Sequence, residues 1–340
     1  MNQLLTNKHL PLIIPAILLL VPWVGIPVYV LHLIILILIW GFIATSWSIM
    51  GRFGLVSLGH GAFMGVGVYT TTLMWNQYGL TPWIGILLGI AGSLVLAFLI
   101  GYPSFRFRVL GHYFALVTLA LGEVVKLSII AARDLTGGSL GMTPDRVQPA
   151  TDVSWYALQF TDKRYFFYIC LLLWLVAILV WKRIDRSMSR FALEAISEDE
   201  VAAASIGIHV TREKLRVTLI SAALTAVGGF LLGYYNQYLN PNTLSGIGIS
   251  LEIVFAAIVG GMYAAPGPTI GAILIIAFRE VLRTYFGTDL AGLAESIYGL
   301  LLIVCIIFMP RGIWGFASAQ IQKYLGQGGA PPSQAAPQEP

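Results

Sequence analysis

Long apolar segments dominate this sequence, and they constrain its fold more than any other feature. A helix needs about 20 mostly apolar residues to cross a bilayer. Segments of roughly this length lie at 11–28, 30–50, 54–75, 83–102, 112–132, 165–181, 215–238, 249–264, 268–285 and 293–309. The sequence therefore predicts an all-α fold, a polytopic transmembrane helical bundle of about ten spans within residues 1–326.

The composition excludes a soluble protein. Charged residues make up 11% of the chain and hydrophobic residues 57%, whereas soluble domains carry about 25% charged residues. The apolar segments are long and do not alternate with polar residues, which argues against a membrane β-barrel. The formal net charge is only +4, and the basic residues flank apolar segments. We therefore expect contact with lipid and no binding of nucleic acid.

Three of the segments are rich in glycine or short. They lie at 54–75, 249–264 and 268–285, and each is a candidate for a broken or re-entrant element. The segment at 11–28 follows a weakly basic start and is not followed by a small-residue cleavage pattern. We therefore expect an uncleaved first span and not a signal peptide.

Lysine and arginine near the segment ends predict the orientation, because cytoplasmic loops of membrane proteins are enriched in them. An N-terminus inside the cell places most of the 20 basic residues there. This cytoplasmic set is Lys8, Arg52, Arg106, Arg108, Lys182, Arg183, Arg186, Arg190, Arg212, Lys214, Arg216, Arg311 and Lys323. The loop at 133–164 is then external, and the loop at 186–214 and both termini are cytoplasmic. We expect a multi-pass membrane protein, with a disordered low-complexity tail at 327–340.

The cytoplasmic loop contains a charged, helix-forming segment at 190–208. Its predicted apolar face comprises Leu193, Ile196, Ala203 and Ile206. Its predicted acidic face comprises Glu194, Glu198, Asp199 and Glu200. Ser189 is placed to cap this helix and Gly207 to end it. The pattern is typical of an amphipathic helix at the membrane surface, and equally of a helix that a soluble partner binds.

Several motifs carry a family resemblance. Ala202 and Ala203, followed by Gly207, resemble the coupling loop of bacterial ABC importers, although Val201 stands where that loop has a glutamate. Further matching stretches are GLVSLGHGAFMGVGVYT (54–70), HYFALVTLALGEV (112–124), LTGGSLGMTP (135–144), SLEIVFAAIVGGMYAAPGPTIGA (250–272) and IYGLLLIVCIIFMPRGIWG (297–315). In their order and spacing, these stretches resemble the LivM-like permeases of high-affinity branched-chain amino acid ABC importers.

This resemblance implies a function and a set of partners. In the family, a periplasmic substrate-binding protein delivers the substrate to a permease and a second, homologous permease, and two ATP-binding subunits drive transport. This chain would be the permease subunit, in a bacterial inner membrane, that moves branched-chain or related amino acids into the cytoplasm. It would hold no cofactor, because the partner subunits bind ATP. The implied ATPase-coupling residues are Leu193, Glu194, Ile196, Glu200, Ala202, Ala203 and Gly207.

The sequence agrees with this division of labour, since it contains no G-x-x-x-x-G-K-[ST] phosphate loop. We expect a transport subunit and not an enzyme. Related importers carry urea, amides or small and aromatic organic acids, and these substrates stay open. An ion-coupled secondary transporter is a further alternative, but it would need clustered intramembrane carboxylates. A membrane enzyme would need convergent catalytic groups, which the five scattered histidines do not suggest.

The glycine-rich stretch at 54–70 contains most candidates for the transport pathway. These candidates are Ser57, Gly59, His60, Gly61 and Gly65. Gly61 and Gly65 form a GxxxG pair, which predicts close helix packing. The alternative is a broken helix whose freed backbone groups meet a zwitterionic substrate. His60 has no histidine or carboxylate partner at helical spacing, so we predict a packing or gating residue and no metal site.

Acidic residues inside apolar segments are costly and call for an explanation. Glu123 stands three residues before Lys126, which predicts an ion pair within one helix. Glu252 lacks a local partner, so it is a candidate for the pathway or for a polar contact between helices. On the external side, a small polar turn is predicted either as a simple loop or as part of the outer mouth. Its residues are Thr136, Gly137, Gly138 and Ser139.

Overall fold

A computed structural model describes residues 18–109, 111–147, 153–286, 299–300 and 312–324. Within these residues the chain is mostly helical, as predicted. Among the described residues, the segments long and apolar enough to cross a membrane are Val28–Gly51, Pro82–Arg106, Gly111–Ala131, Lys163–Asp185, Val210–Asn236 and Pro241–Gly260. These six do not confirm a count of about ten spans. The first and last predicted spans are only partly described, and the tail at 327–340 lies outside the described residues.

The helices are numbered here in chain order. They are α1 (Val28–Gly51), α2 (His60–Tyr78), α3 (Pro82–Arg106), α4 (Gly111–Ala131), α5 (Arg133–Thr136), α6 (Lys163–Asp185), α7 (Met188–Glu198), α8 (Glu200–Ser205), α9 (Val210–Asn236), α10 (Pro241–Leu244), α11 (Ile247–Gly260), α12 (Gly267–Phe286) and α13 (Gly312–Tyr324). Short 3-10 turns lie at Val21–Trp23 and Gly138–Leu140. A small antiparallel hairpin pairs β1 (Val153–Ser154) with β2 (Gln159–Phe160).

Helix α9 is central to the bundle. It packs against α1, α2 and α3, and α2 packs in turn against α3. Glycines allow the helices to approach closely. A Cβ atom on Gly67 would lie 2.6 Å from the carbonyl oxygen of Ala226, and one on Gly229 would lie 2.6 Å from that of Met64. The core is therefore built around the faces where α9 meets α1, α2 and α3.

One of the three weak segments, 54–75, is broken, as predicted. Residues 55–59 are not helical, and α2 begins only at His60. This irregular stretch is held inside the bundle by hydrogen bonds, from Trp47 Nε1 to the Ser57 carbonyl (2.8 Å) and from the Leu58 N–H to Thr118 Oγ1 (3.0 Å). A second break separates α10 from α11, but it lies before the weak segment 249–264. That segment is helical up to Gly260, so the expectation of a break within it is wrong. The third segment forms the continuous helix α12, so the expectation of a break there is wrong. Its proline stands in the first turn, and its later glycine, Gly271, packs closely against the Ala256 backbone without interrupting the helix.

The bundle has two chemically different ends. At one, called the basic end below, the last residues of α1, α3 and α6 meet α7, α8 and the start of α9. Its basic residues are Arg52, Arg106, Arg108, Lys182, Arg183, Arg186, Arg190, Arg212, Lys214 and Arg216. At the opposite end the connecting loops pack on one another. Trp75 Nε1 donates to the Asp145 carbonyl (2.7 Å), and Met142 pairs with Leu239 in a β-bridge.

Candidate functional site

The charged segment at 190–208 forms two helices and not the single predicted helix. Helix α7 ends at Glu198, and Asp199 has an extended backbone with φ −153° and ψ 114°. The Asp199 carboxylate accepts hydrogen bonds from the N–H groups of Ala202 (3.0 Å) and Val201 (2.7 Å), so it caps α8. The same two hydrogen bonds hold the pKa of Asp199 below its ordinary value. Placing Asp199 on the face of a continuous helix was wrong, because its side chain competes for the backbone.

The start of α7 also differs from the prediction. Ser187, and not Ser189, stands at the position before the first helical residue. Ser189 is buried, and its hydroxyl accepts a hydrogen bond from Arg216 Nη1 at 3.0 Å. The predicted cap is wrong because only Arg186 and Ser187 separate α6 from α7, so α7 begins one residue before Ser189.

Gly207 closes α8, as predicted. Its φ of +91° lies in the left-handed region that glycine adopts readily. The Gly207 N–H donates to the Ala204 carbonyl (3.0 Å), and the Ile208 N–H donates to the Ala203 carbonyl (3.2 Å). This is the Schellman arrangement of a helix end. No heavy atom lies within 4 Å of a Cβ built at this position, so the backbone conformation and not the available space favours glycine.

One side of the two-helix segment is anchored to the bundle. Leu193, Ile196 and Ala203 are buried in an apolar cluster at the basic end. The Glu200 carboxylate forms an ion pair with the Lys214 ammonium group of α9, and the two side chains are 12% and 7% exposed. Placing Glu200 on an exposed acidic face was therefore wrong. The prediction assumed one continuous helix across 190–208. The break at Asp199 changes the direction in which Glu200 points.

The other side of α8 is open to solvent and mainly apolar. We call this surface the α8 tip, and it consists of Val201, Ala202, Ala204, Ser205 and Ile206. Val201 is 62% exposed and Ile206 is 76% exposed. The prediction that Ile206 belongs to the buried face is wrong, because Ile206 follows the last helical residue. Small residues between the two larger side chains allow another surface to approach the helix backbone.

Glu194 belongs to a charged network that links α7 to two other helices. Arg190 Nε contacts Glu194 Oε1 at 2.7 Å, and Arg190 Nη1 lies 3.5 Å from Asp185 Oδ1. Asp185 also pairs with Arg52 Nη1 at 3.0 Å. The Arg52 guanidinium lies 4.0 Å from the centroid of the Trp181 ring. Burial lowers the pKa of Arg52 to about 10, so Arg52 stays positively charged at neutral pH.

Ser57, His60 and Ser221 form a buried polar cluster at the start of α2. His60 Nδ1 lies 3.2 Å from Ser57 Oγ, and His60 Nε2 lies 2.9 Å from Ser221 Oγ. The Ser221 hydroxyl donates to the Ser46 carbonyl at 2.7 Å, and the Gly59 N–H donates to Ser57 Oγ at 3.3 Å. The cluster therefore joins α1, the irregular stretch, α2 and α9. Both ring nitrogens of His60 have partners, which agrees with the predicted packing role.

Gly61 and Gly65 form the close contact that their spacing predicts, and their partner is the junction before α11. A Cβ atom on Gly61 would lie 2.6 Å from the Gly246 carbonyl oxygen. One on Gly65 would lie 2.8 Å from Ser245 Oγ. The Gly61 N–H also donates to Ser250 Oγ at 2.9 Å. The irregular starts of α2 and α11 therefore lie against each other inside the bundle.

The two acidic candidates within apolar segments both have basic partners. Glu123 Oε2 lies 2.5 Å from Lys126 Nζ, which confirms the predicted ion pair within one helix. Glu252 Oε2 lies 2.6 Å from Arg279 Nη2. This is the polar contact between helices that was one of its two alternatives. Its partner follows on α12, too far along the chain for the sequence to indicate.

The polar turn at the opposite end is tightly constructed. Thr136 is buried, and its hydroxyl lies 2.6 Å from the Ile129 carbonyl oxygen, to which it donates. The Gly138 N–H donates to Thr136 Oγ1 at 3.2 Å. Gly137 has a φ of +73°, and Ser139 is exposed. Thr136, Gly137 and Gly138 hold the turn together, whereas the role of these residues at an external mouth stays a prediction.

Comparison with known proteins identifies the family. The model of the family described as "Branched-chain amino acid transport system / permease component" matches residues 29–309. This chain belongs to that permease family. It is thus a multi-pass transport subunit of the inner membrane and not an enzyme, as predicted. No solved structure matches the permease.

Two kinds of relative resemble the permease. The high-affinity branched-chain amino acid transport system permease protein LivM of Escherichia coli K12 is 30% identical over 294 residues, covering 81% of this chain and 67% of the relative. LivM of Salmonella typhimurium LT2 is 28% identical over 302 residues, covering 82% and 68%. LivH of the same system in E. coli K12 is 26% identical over 284 residues, covering 80% and 90%.

Sequence reasoning about the permease missed several partners of its candidate residues. They are Lys214, Ser221, Ser250 and Arg279. Lys214 offered a weak signal, since it begins an apolar segment shortly after an acidic stretch, whereas the two serines offered none. Among the described residues, no three histidine, cysteine or acidic side chains are grouped as a metal site requires. That the permease binds no metal or other cofactor stays a prediction.

Proposed function

We propose that the permease is a subunit of an ATP-driven importer and moves branched-chain amino acids into the cytoplasm. The observation that carries this proposal is the α8 tip. Val201 and Ile206 expose apolar side chains on a helix whose opposite side is fixed by a buried ion pair to α9. A rigid apolar projection of this kind suits insertion into a groove of another protein. We propose that the groove belongs to an ATP-binding subunit.

The contacts around the α8 tip supply a route from that subunit to the core. Glu200 pairs with Lys214 near the start of α9, so a displacement of α8 acts directly on the central helix. Further along α9, Ser221 contacts His60 at the start of α2. Movement of α9 would therefore shift the irregular stretch before α2. Alternating access would result from these displacements after ATP binding closes the ATPase pair.

The distribution of charge supports a cytoplasmic position for the α8 tip. Cytoplasmic loops are enriched in lysine and arginine, and the basic end carries both these residues and the α8 tip. In this arrangement the ATP-binding subunits lie in the cytoplasm, and a periplasmic substrate-binding protein delivers substrate to the opposite end. Both termini are then cytoplasmic. Relatives of two names, LivM and LivH, belong to one transport system, so we propose a second, homologous permease as the neighbour in the membrane.

Reconstitution tests the proposal directly. Proteoliposomes would contain the permease, its homologous partner, the two ATP-binding subunits and internal ATP, with binding protein outside. We expect ATP-dependent uptake of labelled leucine, isoleucine and valine. Uptake of urea or an organic acid instead would overturn the assigned substrate. Uptake by the permease alone along an ion gradient would overturn the importer assignment.

A variant of the α8 tip tests the coupling surface. The double substitution Val201→Asp and Ile206→Asp places two charges on the exposed apolar side chains, and we expect loss of both uptake and co-purification of the ATPase. Met188→Asp is a matched control, because Met188 is 81% exposed on α7 but lies outside the tip. Equal loss of the ATPase in both variants would contradict a contact centred on α8.

A further inference from the structure

Glu123 and Lys126 are placed unusually for an ion pair at membrane depth. They lie within the candidate span α4, and their side chains are 29% and 22% exposed. On one side of the pair is the buried strip of α4 that includes Gly122 and Val125. On the other side are Val124 and Leu127, which are 59% and 57% exposed. The pair therefore stands at the boundary between the bundle and its surroundings.

This boundary lies at the junction of the two broken elements. Glu123 Oε1 accepts a hydrogen bond from the Ile247 N–H, the first residue of α11, at 3.1 Å. Gly246 has a φ of +90°, and a Cβ atom there would lie 2.8 Å from Lys126 Cδ and 3.1 Å from Glu123 Oε1. The neighbouring Ser245 hydroxyl is buried and has no hydrogen-bond partner among the described residues. Irregular backbone, a helix start and both charges therefore meet in one place.

Lipid is an unsuitable environment for this junction. Charged side chains inside a membrane face the bundle interior or a water-filled cavity, because contact with hydrocarbon is costly. Irregular backbone at membrane depth is likewise tolerated only where protein covers it or where it lines a cavity. Transporters use such discontinuous helices to bind substrate near the middle of the membrane. The partly exposed pair therefore requires either covering protein or water beside this part of α4.

We propose that Glu123 and Lys126 form a transit site for an amino acid in its zwitterionic form, an inference that rests on the proposed import function. The substrate carboxylate contacts the Lys126 ammonium group, and the substrate ammonium group contacts the Glu123 carboxylate. One ion pair is replaced by two, so no unpaired charge remains in the membrane. Because the incoming contacts replace an existing one, net binding is weak, as passage through a pathway requires.

This site also discriminates among the substrates that the sequence leaves open. A zwitterion uses both charges of the pair. Urea and neutral amides carry neither charge, and an organic acid would satisfy Lys126 while placing its carboxylate beside that of Glu123. Exposed Val124 and Leu127 flank the pair and offer apolar surface to an aliphatic side chain. The chemistry of the site thus favours branched-chain amino acids within the zwitterionic class.

The first test neutralises each charge and keeps its hydrogen-bonding ability. Glu123→Gln retains an acceptor for the Ile247 N–H, and Lys126→Gln retains a donor. We expect each variant to lower leucine uptake by the reconstituted transporter about tenfold, because a hydrogen bond to a charged group is lost. The midpoint of thermal unfolding should change little, because this pair is more exposed than the Glu200–Lys214 pair, and the recovery of partner subunits should stay unchanged. Asp162→Asn is the matched control: Asp162 also accepts a backbone N–H and pairs with Arg164, but at an exposed site.

The second test asks whether water reaches the pair, and it leaves both charges in place. Leu127→Cys, with Cys170 and Cys305 replaced by serine, would be treated with the charged reagent methanethiosulfonate ethylammonium. We expect labelling that leucine-loaded binding protein and ATP slow down. Leu172→Cys, on a 63% exposed residue of α6, is the control and should stay unlabelled.

The outcomes separate this inference from the proposed function. Normal leucine uptake by Glu123→Gln, or no labelling of Leu127→Cys beyond the control, would overturn the transit site while the importer assignment stands. A lower unfolding midpoint that accounts for the lost uptake would assign the pair a structural role and also overturn the site. Absence of leucine uptake by the unsubstituted transporter would overturn the proposed function itself.

Discussion

The carboxylate of Glu200 and the ammonium group of Lys214 form a buried ion pair that joins α8 to the start of α9. Lys214 Nζ also lies 5.8 Å from the centroid of the Phe105 ring at the end of α3. The surface helix is therefore attached to the central helix α9 and lies beside the end of α3. A loose surface loop would transmit little displacement to the core, whereas this pair transmits it through one contact.

Removing one partner of this pair should destabilise the permease. Lys214→Met leaves the Glu200 carboxylate buried and unpaired, and we expect the free energy of unfolding to fall by about 3 kcal/mol. The double variant Glu200→Leu with Lys214→Met should recover most of that stability, because no charge remains buried, yet it should transport poorly. Thermal unfolding in detergent and ATP-dependent uptake measure the two effects. Additive losses of stability in the double variant would show that the pair does not act as a unit.

Gly207→Val should uncouple transport without preventing membrane insertion. A β-branched residue is strained at a φ of +91°, and the closing turn of α8 would have to change. We expect normal amounts of protein in the membrane and little ATP-dependent uptake. Gly79→Val is the matched control, since Gly79 has a φ of +62° and equally open space, but ends α2 at the opposite end. If both variants transport equally well, Gly207 has no special part in coupling.

Asp199→Ala should weaken coupling more than Asp199→Asn, because asparagine still caps the start of α8. ATPase stimulation by loaded binding protein provides the measurement.

The stability of the cap at Asp199 should depend on pH with a definite sign. Hydrogen bonds from Ala202 and Val201 lower the pKa of Asp199 below its ordinary 3.8. The stability that the Asp199 cap gives to α8 is complete above pH 3.8. It is lost as the pH falls through the lower pKa that Asp199 has in the folded protein. Loss of the cap near neutral pH would contradict this assignment.

Gly61→Ala should destabilise the permease by about 2 kcal/mol, because the new methyl group enters a closely packed contact. Its Cβ atom would lie 2.6 Å from the Gly246 carbonyl oxygen. Gly248→Ala serves as the control: no atom lies within 4 Å of its Cβ position on α11. We expect this second change to raise stability by about 0.5 kcal/mol, since alanine favours the helix. Thermal unfolding of both variants in one detergent compares them, and equal midpoints would refute the contact.

Local signals in the sequence account for much of the fold. The apolar segments, the end of α8 at Gly207 and the close packing of Gly61 and Gly65 each depend on neighbouring residues or on helical spacing. The break at Asp199 also has a local signal, because an aspartate before Glu200 and Val201 is a typical helix cap. It was missed because the apolar spacing continues across it.

The sequence by itself determined that the chain is an apolar helical bundle with a charged surface segment, because length, hydropathy and capping act over a few residues. Only the tertiary structure decided that Glu200 faces inward to Lys214, that His60 contacts Ser221, and that Glu123 and Lys126 stand where two broken elements meet. These relationships join residues that are far apart or turned toward a neighbouring helix. Their physical cause is the need of each polar group in an apolar bundle for a partner, and only packing determines which partner is within reach.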